Sequence, residues 1–157
     1  LEREHMMKVI IVSDTHGNND FVDKIVSKYP KADKFLHAGD SCCNEYMISP
    51  FKTVRGNCDY YVDNIYRIIE VNDVRIFMFH GDRFNLSIEA LVRLSKDYNC
   101  NVIIHGHTHK SGYTFSDGVH IICPGSLYIP RGGVPSYAVM EFTSYKDIKV
   151  EIKKYGN

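Results

Sequence analysis

Five short apolar runs, each of strand length and each ending beside a glycine in residue types that ligate metals, constrain this chain more than any other feature. Lys8 to Ser13 runs into Asp14, Thr15, His16 and Gly17, and Lys34 to Ala38 into Gly39 and Asp40. Thr53 to Arg55 leads into Gly56, Asn57, Cys58 and Asp59, and Arg75 to Phe79 into His80, Gly81 and Asp82. Asn101 to Ile104 leads into His105, Gly106, His107, Thr108 and His109. Runs this short and rich in β-branched residues read as buried strands. In α/β sheets ligands bind outside the carboxyl ends of the strands, so five strands of shared direction gather these side chains at one rim. The glycines let the backbone turn sharply and approach the site closely.

Two amphipathic helices are expected between the runs. Asn19 to Tyr29 follows Asn18 as a cap, carries Phe21, Val22, Ile25 and Val26 on one face and is stopped by Pro30. Ser87 to Tyr98 carries Ile88, Leu91, Val92 and Leu94 at similar spacing. Beyond Lys110 the pattern becomes antiparallel. Tyr113 to Phe115 and Val119 to Ile122 flank a Ser116-Asp117-Gly118 turn, and Tyr137 to Phe142 and Ile148 to Lys153 follow. Leu1 to Met6, ahead of a second methionine, read as a tag remnant (1–6), which leaves one domain over residues 7–157.

The 19 basic and 19 acidic side chains cancel, which argues against an extended nucleic-acid surface. No apolar run reaches the roughly 20 residues of a membrane span. Cys42, Cys43, Cys58, Cys100 and Cys123 form an odd set without a Cys-x-x-Cys pair, which points to a reducing, cytoplasmic setting with free thiols.

Asp14, His16, Asp40, Asn57, His80, His107 and His109 together form the candidate metal-ligand set. Three oxygen donors and four imidazoles are too hard a set for a thiolate-type structural zinc site and too many for one tetrahedral ion. They suit two divalent cations roughly 3.5 to 4 Å apart, bridged by one carboxylate, with Asp40 the expected bridge. Two such ions lower the pKa of a bridging water and supply hydroxide near neutral pH. Each residue alone also has an ordinary reading. Asp14 and Asp40 suit turns, and His80 suits a satisfied buried position.

Asp-x-His, Gly-Asp, Gly-Asn-x-Asp, His-Gly and Gly-His-x-His, in this order, resemble the calcineurin-like metallophosphoesterases. The Gly-Asn-Cys-Asp form, with Pro124-Gly125-Ser126 and Pro130-Arg131-Gly132-Gly133, is similar to their compact bacterial and archaeal phosphodiesterase subgroup. The resemblance implies an α/β fold, a four-layer αββα sandwich of two mixed β-sheets. It places Asp14, His16 and His109 on one ion and Asn57, His80 and His107 on the other, with Asp40 shared. Manganese is the expected ion, and nickel, iron, cobalt or zinc also suit the donors. The implied activity is hydrolysis of a small phosphoester, a diester in preference to a monoester; the family's substrates include nucleotides, phosphoproteins, lipids and cyclic diesters, so a nucleotide-derived substrate is one candidate among these and a homo-oligomer one candidate state.

Asp40, Asn57 and Cys58 are the residues expected to take part in the chemistry. Cys58 stands where larger members carry histidine. A thiol with a pKa near ~8.5 is a poorer acid for the leaving oxygen, so good leaving groups are expected to react faster. Arg131 is a candidate phosphate contact, and Tyr60 and Tyr61 candidates for stacking on a base. His37, His105, Asp59 and Asp82 stand beside ligands as orienting groups or as ordinary structural residues.

Overall fold

The computed structural model describes residues 5–128 and 133–155. Two five-stranded sheets face each other. The first has the order β10-β9-β1-β2-β3, built from β1 (Met7–Val12), β2 (Lys34–His37), β3 (Lys52–Thr53), β9 (Ser136–Phe142) and β10 (Lys149–Lys154). The second has the order β4-β5-β6-β8-β7, built from β4 (Tyr66–Val71), β5 (Val74–Phe79), β6 (Val102–Ile104), β7 (Gly112–Ser116) and β8 (Val119–Cys123). In the first sheet β1, β2 and β3 are parallel; in the second, β5, β6 and β8 are parallel. The five runs therefore do end at common rims, as their composition predicts.

Strand periodicity sorts the side chains into layers. On β1, Val9 and Ile11 join the core between the sheets, while Ile10 and Val12 face outward. On the outer side they meet Val22 and Ile25 of α1 (Asn19–Lys28) and Ile48 of a 3₁₀ turn (Glu45–Ile48). On β5, Ile76 and Met78 point inward; Phe77 and Phe79 point outward to Leu91 of α2 (Ile88–Asp97). The architecture is the expected αββα sandwich. Each fully buried aliphatic side chain in these layers contributes about 1.5–3 kcal/mol.

Local chemistry sets the helix ends. Ser87 Oγ accepts from the Ala90 N–H at 3.2 Å, an N-cap. Asn18, expected to cap α1, makes no side-chain capping bond; the turn into α1 is closed through the backbone instead, by Asn18 N–H to Thr15 O at 3.0 Å. β4, not expected from the sequence, pairs antiparallel with β5 across a tight turn at Asn72 and Asp73. Asn72 has φ of 54°, the left-handed backbone that Asn tolerates in such hairpins. Among the described residues no helix is long and apolar enough to cross a membrane.

Candidate metal centre

The loops after β1, β2 and β3 bring Asp14, His16, Asp40 and Asn57 from one sheet, and those after β5 and β6 bring His80, His107 and His109 from the other. Asp14, His16, Asp40, His107 and His109, with Cys42, all have positive φ, between 47° and 72°. Left-handed backbone is costly for such residues and gathers at functional sites. Here it turns each loop sharply at its ligand.

Asp14 lies at the centre. Its Oδ2 accepts from Ser13 Oγ–H at 2.6 Å and from the His107 N–H at 3.2 Å. Its Oδ1 is buried without a hydrogen-bond partner, and three imidazoles converge on it. His109 Nε2 lies 3.1 Å away, His80 Nε2 3.8 Å and His16 Nε2 3.9 Å. His16 Nε2 and His80 Nε2 are likewise buried without a hydrogen-bond partner. Ligands about 2.1 Å from a shared ion stand roughly 3.0–3.4 Å apart in octahedral or tetrahedral geometry. The His109 spacing falls in that range and those of His80 and His16 about half an ångström beyond it, and the orphaned atoms suit donors facing a cation, because polar atoms so buried otherwise find partners.

Two ligand groups are contiguous here, Asp14 with His16 and His109, and Asp14 with Asp40 and His80. The atom bordering both is Asp14 Oδ1, and Asp40, the expected bridge, stands in the second of the two. Asp40 Oδ1 accepts from the Cys58 N–H at 3.0 Å, and its Oδ2 lies 3.2 Å from His80 Nε2. His107 packs edge-on to His80 with ring centroids 5.2 Å apart. Asn57 and His107, both exposed, line a cleft of about 820 Å³ with His80, Arg55, Arg83, Phe84 and Ile65.

The candidate ligands are held by groups of their own. His80 Nδ1–H donates to Ala38 O at 2.8 Å, which fixes the tautomer and aims Nε2 inward. Burial would lower the His80 pKa, but the Asp40 and Asp14 carboxylates prevail and raise it to about 9. Burial would likewise raise Asp40, and His80 with the Cys58 N–H hold it below the usual carboxylate range instead.

Asp59 is buried and laces two ligand loops. Its Oδ2 accepts from the N–H groups of Asp40 (2.8 Å) and Gly56 (2.7 Å), and its Oδ1 from that of Cys42 (2.8 Å). His37 is fully buried, accepts from the Gly39 N–H at Nδ1 and donates from Nε2 to Thr15 Oγ1 at 2.9 Å. Burial, then the charge of His80, push its pKa down to about 3, so it is a neutral prop. His105 is buried too, its Nδ1–H donating to Gly106 O, and burial lowers its pKa. Asp82 lines the cleft, while exposed Tyr60 and Tyr61 stand outside its lining. Arg131 lies outside the described residues.

Cys58 departs from expectation. It is disulfide-bonded to Cys42, whereas the odd cysteine count and the absence of a Cys-x-x-Cys pair suggested free thiols throughout. The partners are 16 residues apart, and only the docking of the loops after β2 and β3 brings them together. In this state Cys58 has no thiol proton to give a leaving group. Cys43, Cys100 and Cys123 are free.

Comparison with known proteins gives concordant results. The sequence profile of the calcineurin-like phosphoesterase superfamily domain matches residues 7–145. A probable metallophosphoesterase of Mycoplasma pneumoniae is 36% identical over 141 residues, covering 84% of this chain and 87% of the relative. Phosphodiesterase YfcE of Escherichia coli is 26% identical, covering 87% of this chain and 88% of its own length. A solved structure, a predicted phosphoesterase from Streptococcus pneumoniae, superposes with a TM-score of 0.85 at 24% identity over 97% of this chain and 91% of that one.

Proposed function

Because the chain belongs to the calcineurin-like phosphoesterase superfamily, we propose that it is a two-metal phosphodiesterase of the compact bacterial and archaeal type. The observation that carries this reading is the convergence of three buried, unpartnered atoms, Asp14 Oδ1, His16 Nε2 and His80 Nε2, on one small space. This donor set fits divalent cations. Asp14, His16 and His109 would hold one ion and Asn57, His80 and His107 the other, with Asp40 shared. We assign manganese on the ground of cell supply, since affinity alone would favour other divalent metals at an oxygen and imidazole set. When bound, the ions would supply the hydroxide nucleophile and neutralise charge on the phosphoryl oxygens during in-line displacement.

The protein's own side chains do the positioning. Ser13 and Ala38 O fix the orientation of Asp14 and His80. Neutral Asn57 adds a ligand without adding negative charge near an anionic substrate. The cleft beside Asn57 and His107 offers Arg55 and Arg83 to the phosphate and Phe84 and Ile65 to an apolar or aromatic ester group. Cys58 in its disulfide gives the leaving oxygen no proton, which favours esters with stable leaving groups.

Metal analysis of the purified protein, with a panel of aryl phosphodiesters and phosphomonoesters, tests the proposal. Diester hydrolysis should depend on added manganese, be abolished by chelation and fall to background in Asp40→Asn and His80→Ala. Undiminished turnover in both variants would refute it.

A further inference from the structure

We propose that Cys42, Cys58 and His16 form a separate site for a thiophilic divalent cation, closed while the two sulfurs are bonded to each other and opened when they are reduced. Nothing in it depends on the hydrolase reading. His16 stands between two environments. Its Nε2 faces Asp14, and its Nδ1 faces the sulfurs, 3.8 Å from Cys42 Sγ and 3.9 Å from Cys58 Sγ. One donor atom from each of the three residues lies within 4.8 Å of the other two.

The geometry is close to that of a tetrahedral Cys₂His set. With metal–nitrogen bonds of about 2.1 Å and metal–sulfur bonds of about 2.3 Å, tetrahedral angles place nitrogen roughly 3.6 Å from each sulfur and the sulfurs roughly 3.8 Å apart. The two nitrogen–sulfur spacings are already within a few tenths of an ångström of this. Only the sulfur–sulfur separation must grow, and breaking the bond allows that. The loops would stay in register without the covalent link, because Asp59 holds the backbones of Asp40, Cys42 and Gly56, and Asp40 holds that of Cys58.

Opening requires two electrons, which a dithiol supplies. One thiolate of the reductant attacks Cys42 Sγ, which belongs to the more exposed residue of the pair. The S–S electron pair leaves on Cys58 Sγ, which takes up a proton. The second thiol of the reductant then attacks the mixed disulfide, releases Cys42 as a thiol and departs as a cyclic disulfide. Cation binding displaces the two thiol protons. Two thiolates and one imidazole select zinc or cadmium over manganese. A neutral imidazole has one free lone pair, so His16 serves an ion through Nδ1 or through Nε2 but not both. Filling the sulfur site therefore withdraws His16 from Asp14 and His109.

Cadmium titration of the whole protein, followed by the ultraviolet cadmium–thiolate charge-transfer band, tests this without any activity measurement. One sample is reduced with dithiothreitol and freed of it under nitrogen; the other is oxidised with glutathione disulfide. Alkylation after denaturation should count five thiols in the first and three in the second. The reduced protein should take up one cadmium per chain with the band, and the oxidised protein should show none. Cys42→Ser and Cys58→Ser should each lose most of the band, Cys43→Ser should keep it, and His16→Gln should weaken binding by roughly tenfold or more. No band in the reduced wild-type protein, or a band of equal strength in its oxidised form, overturns the proposal. This redox pair is one unmutated polypeptide, so a variant that fails to fold leaves the test intact.

Discussion

Replacing Gly56 by alanine should disable the candidate metal centre by steric means alone. A methyl carbon at Gly56 would lie 2.1 Å from Asp40 Oδ1, 2.6 Å from the Asp40 backbone nitrogen and 2.8 Å from its Cγ. Ordinary contact with such atoms is near ~3.5 Å, so Asp40 must retreat by roughly 1 Å or more. Rotating the carboxylate is not enough, since the backbone nitrogen is also within reach; the loops after β2 and β3 must separate. Asp59 and the Cys42–Cys58 bond oppose that separation. Overpacking costs about 1–3 kcal/mol, and losing the Cys58 N–H to Asp40 Oδ1 bond adds about 1.5–3 kcal/mol.

Metal affinity should suffer as well. Disturbing the groups that support a ligand commonly costs about 10- to 100-fold in metal affinity, and the upper figure sets the expectation here. With manganese at about 100 times the wild-type Kd, the wild-type protein gains about 2.7 kcal/mol of stability, and a variant bound about 100-fold more weakly gains only about 0.4 kcal/mol. Urea unfolding with and without manganese measures both effects. Gly133→Ala, where an added Cβ meets nothing within 4 Å, is the control and should stay within about 0.5 kcal/mol of wild type. A Gly56→Ala protein with the wild-type midpoint and the wild-type manganese shift would refute the reasoning.

His37 should make stability depend on pH. Its folded pKa is lowered to about 3, so its contribution is present above the unfolded value near ~6.5 and is lost as the pH falls toward 3. Between pH 7 and pH 5 this loss amounts to about 2 kcal/mol, and the wild-type protein should lose that much more than His37→Asn in urea melts; equal slopes would contradict it. Asp59→Ala should cost about 3 kcal/mol or more by leaving two buried N–H groups and one part-buried one without their acceptor, and Asp59→Asn should recover only part of it. A denaturation midpoint unchanged in Asp59→Ala would show that the two loops are held by other means.

Periodicity made much of this molecule readable. The alternation within β1 and β5 and the glycine-flanked ends of five runs give the layers and bring the candidate ligands to one rim. β4 escaped because Tyr66–Val71 is mostly half-buried or exposed and lacks the apolar character of the central strands. The Val71-Asn72-Asp73-Val74 turn is the local signal that marks it. The Cys42–Cys58 bond, the anchoring of Asp14 by Ser13 and the lacing by Asp59 depend on which loops dock, and no local pattern encodes that. Left-handed backbone at Asp14, His16, Asp40, His107 and His109 likewise has no glycine to announce it.

Donors drawn from both sheets have a mechanical consequence. A cation seated among Asp14, Asp40 and His80 would bolt the two halves of the sandwich along one edge, whereas within the core between them they are joined by non-directional apolar contacts. Sliding of one layer over the other then becomes a rotation about that bolt. Removing the ion would free the loop-bearing edge first and leave the layers pressed together by their aliphatic filling.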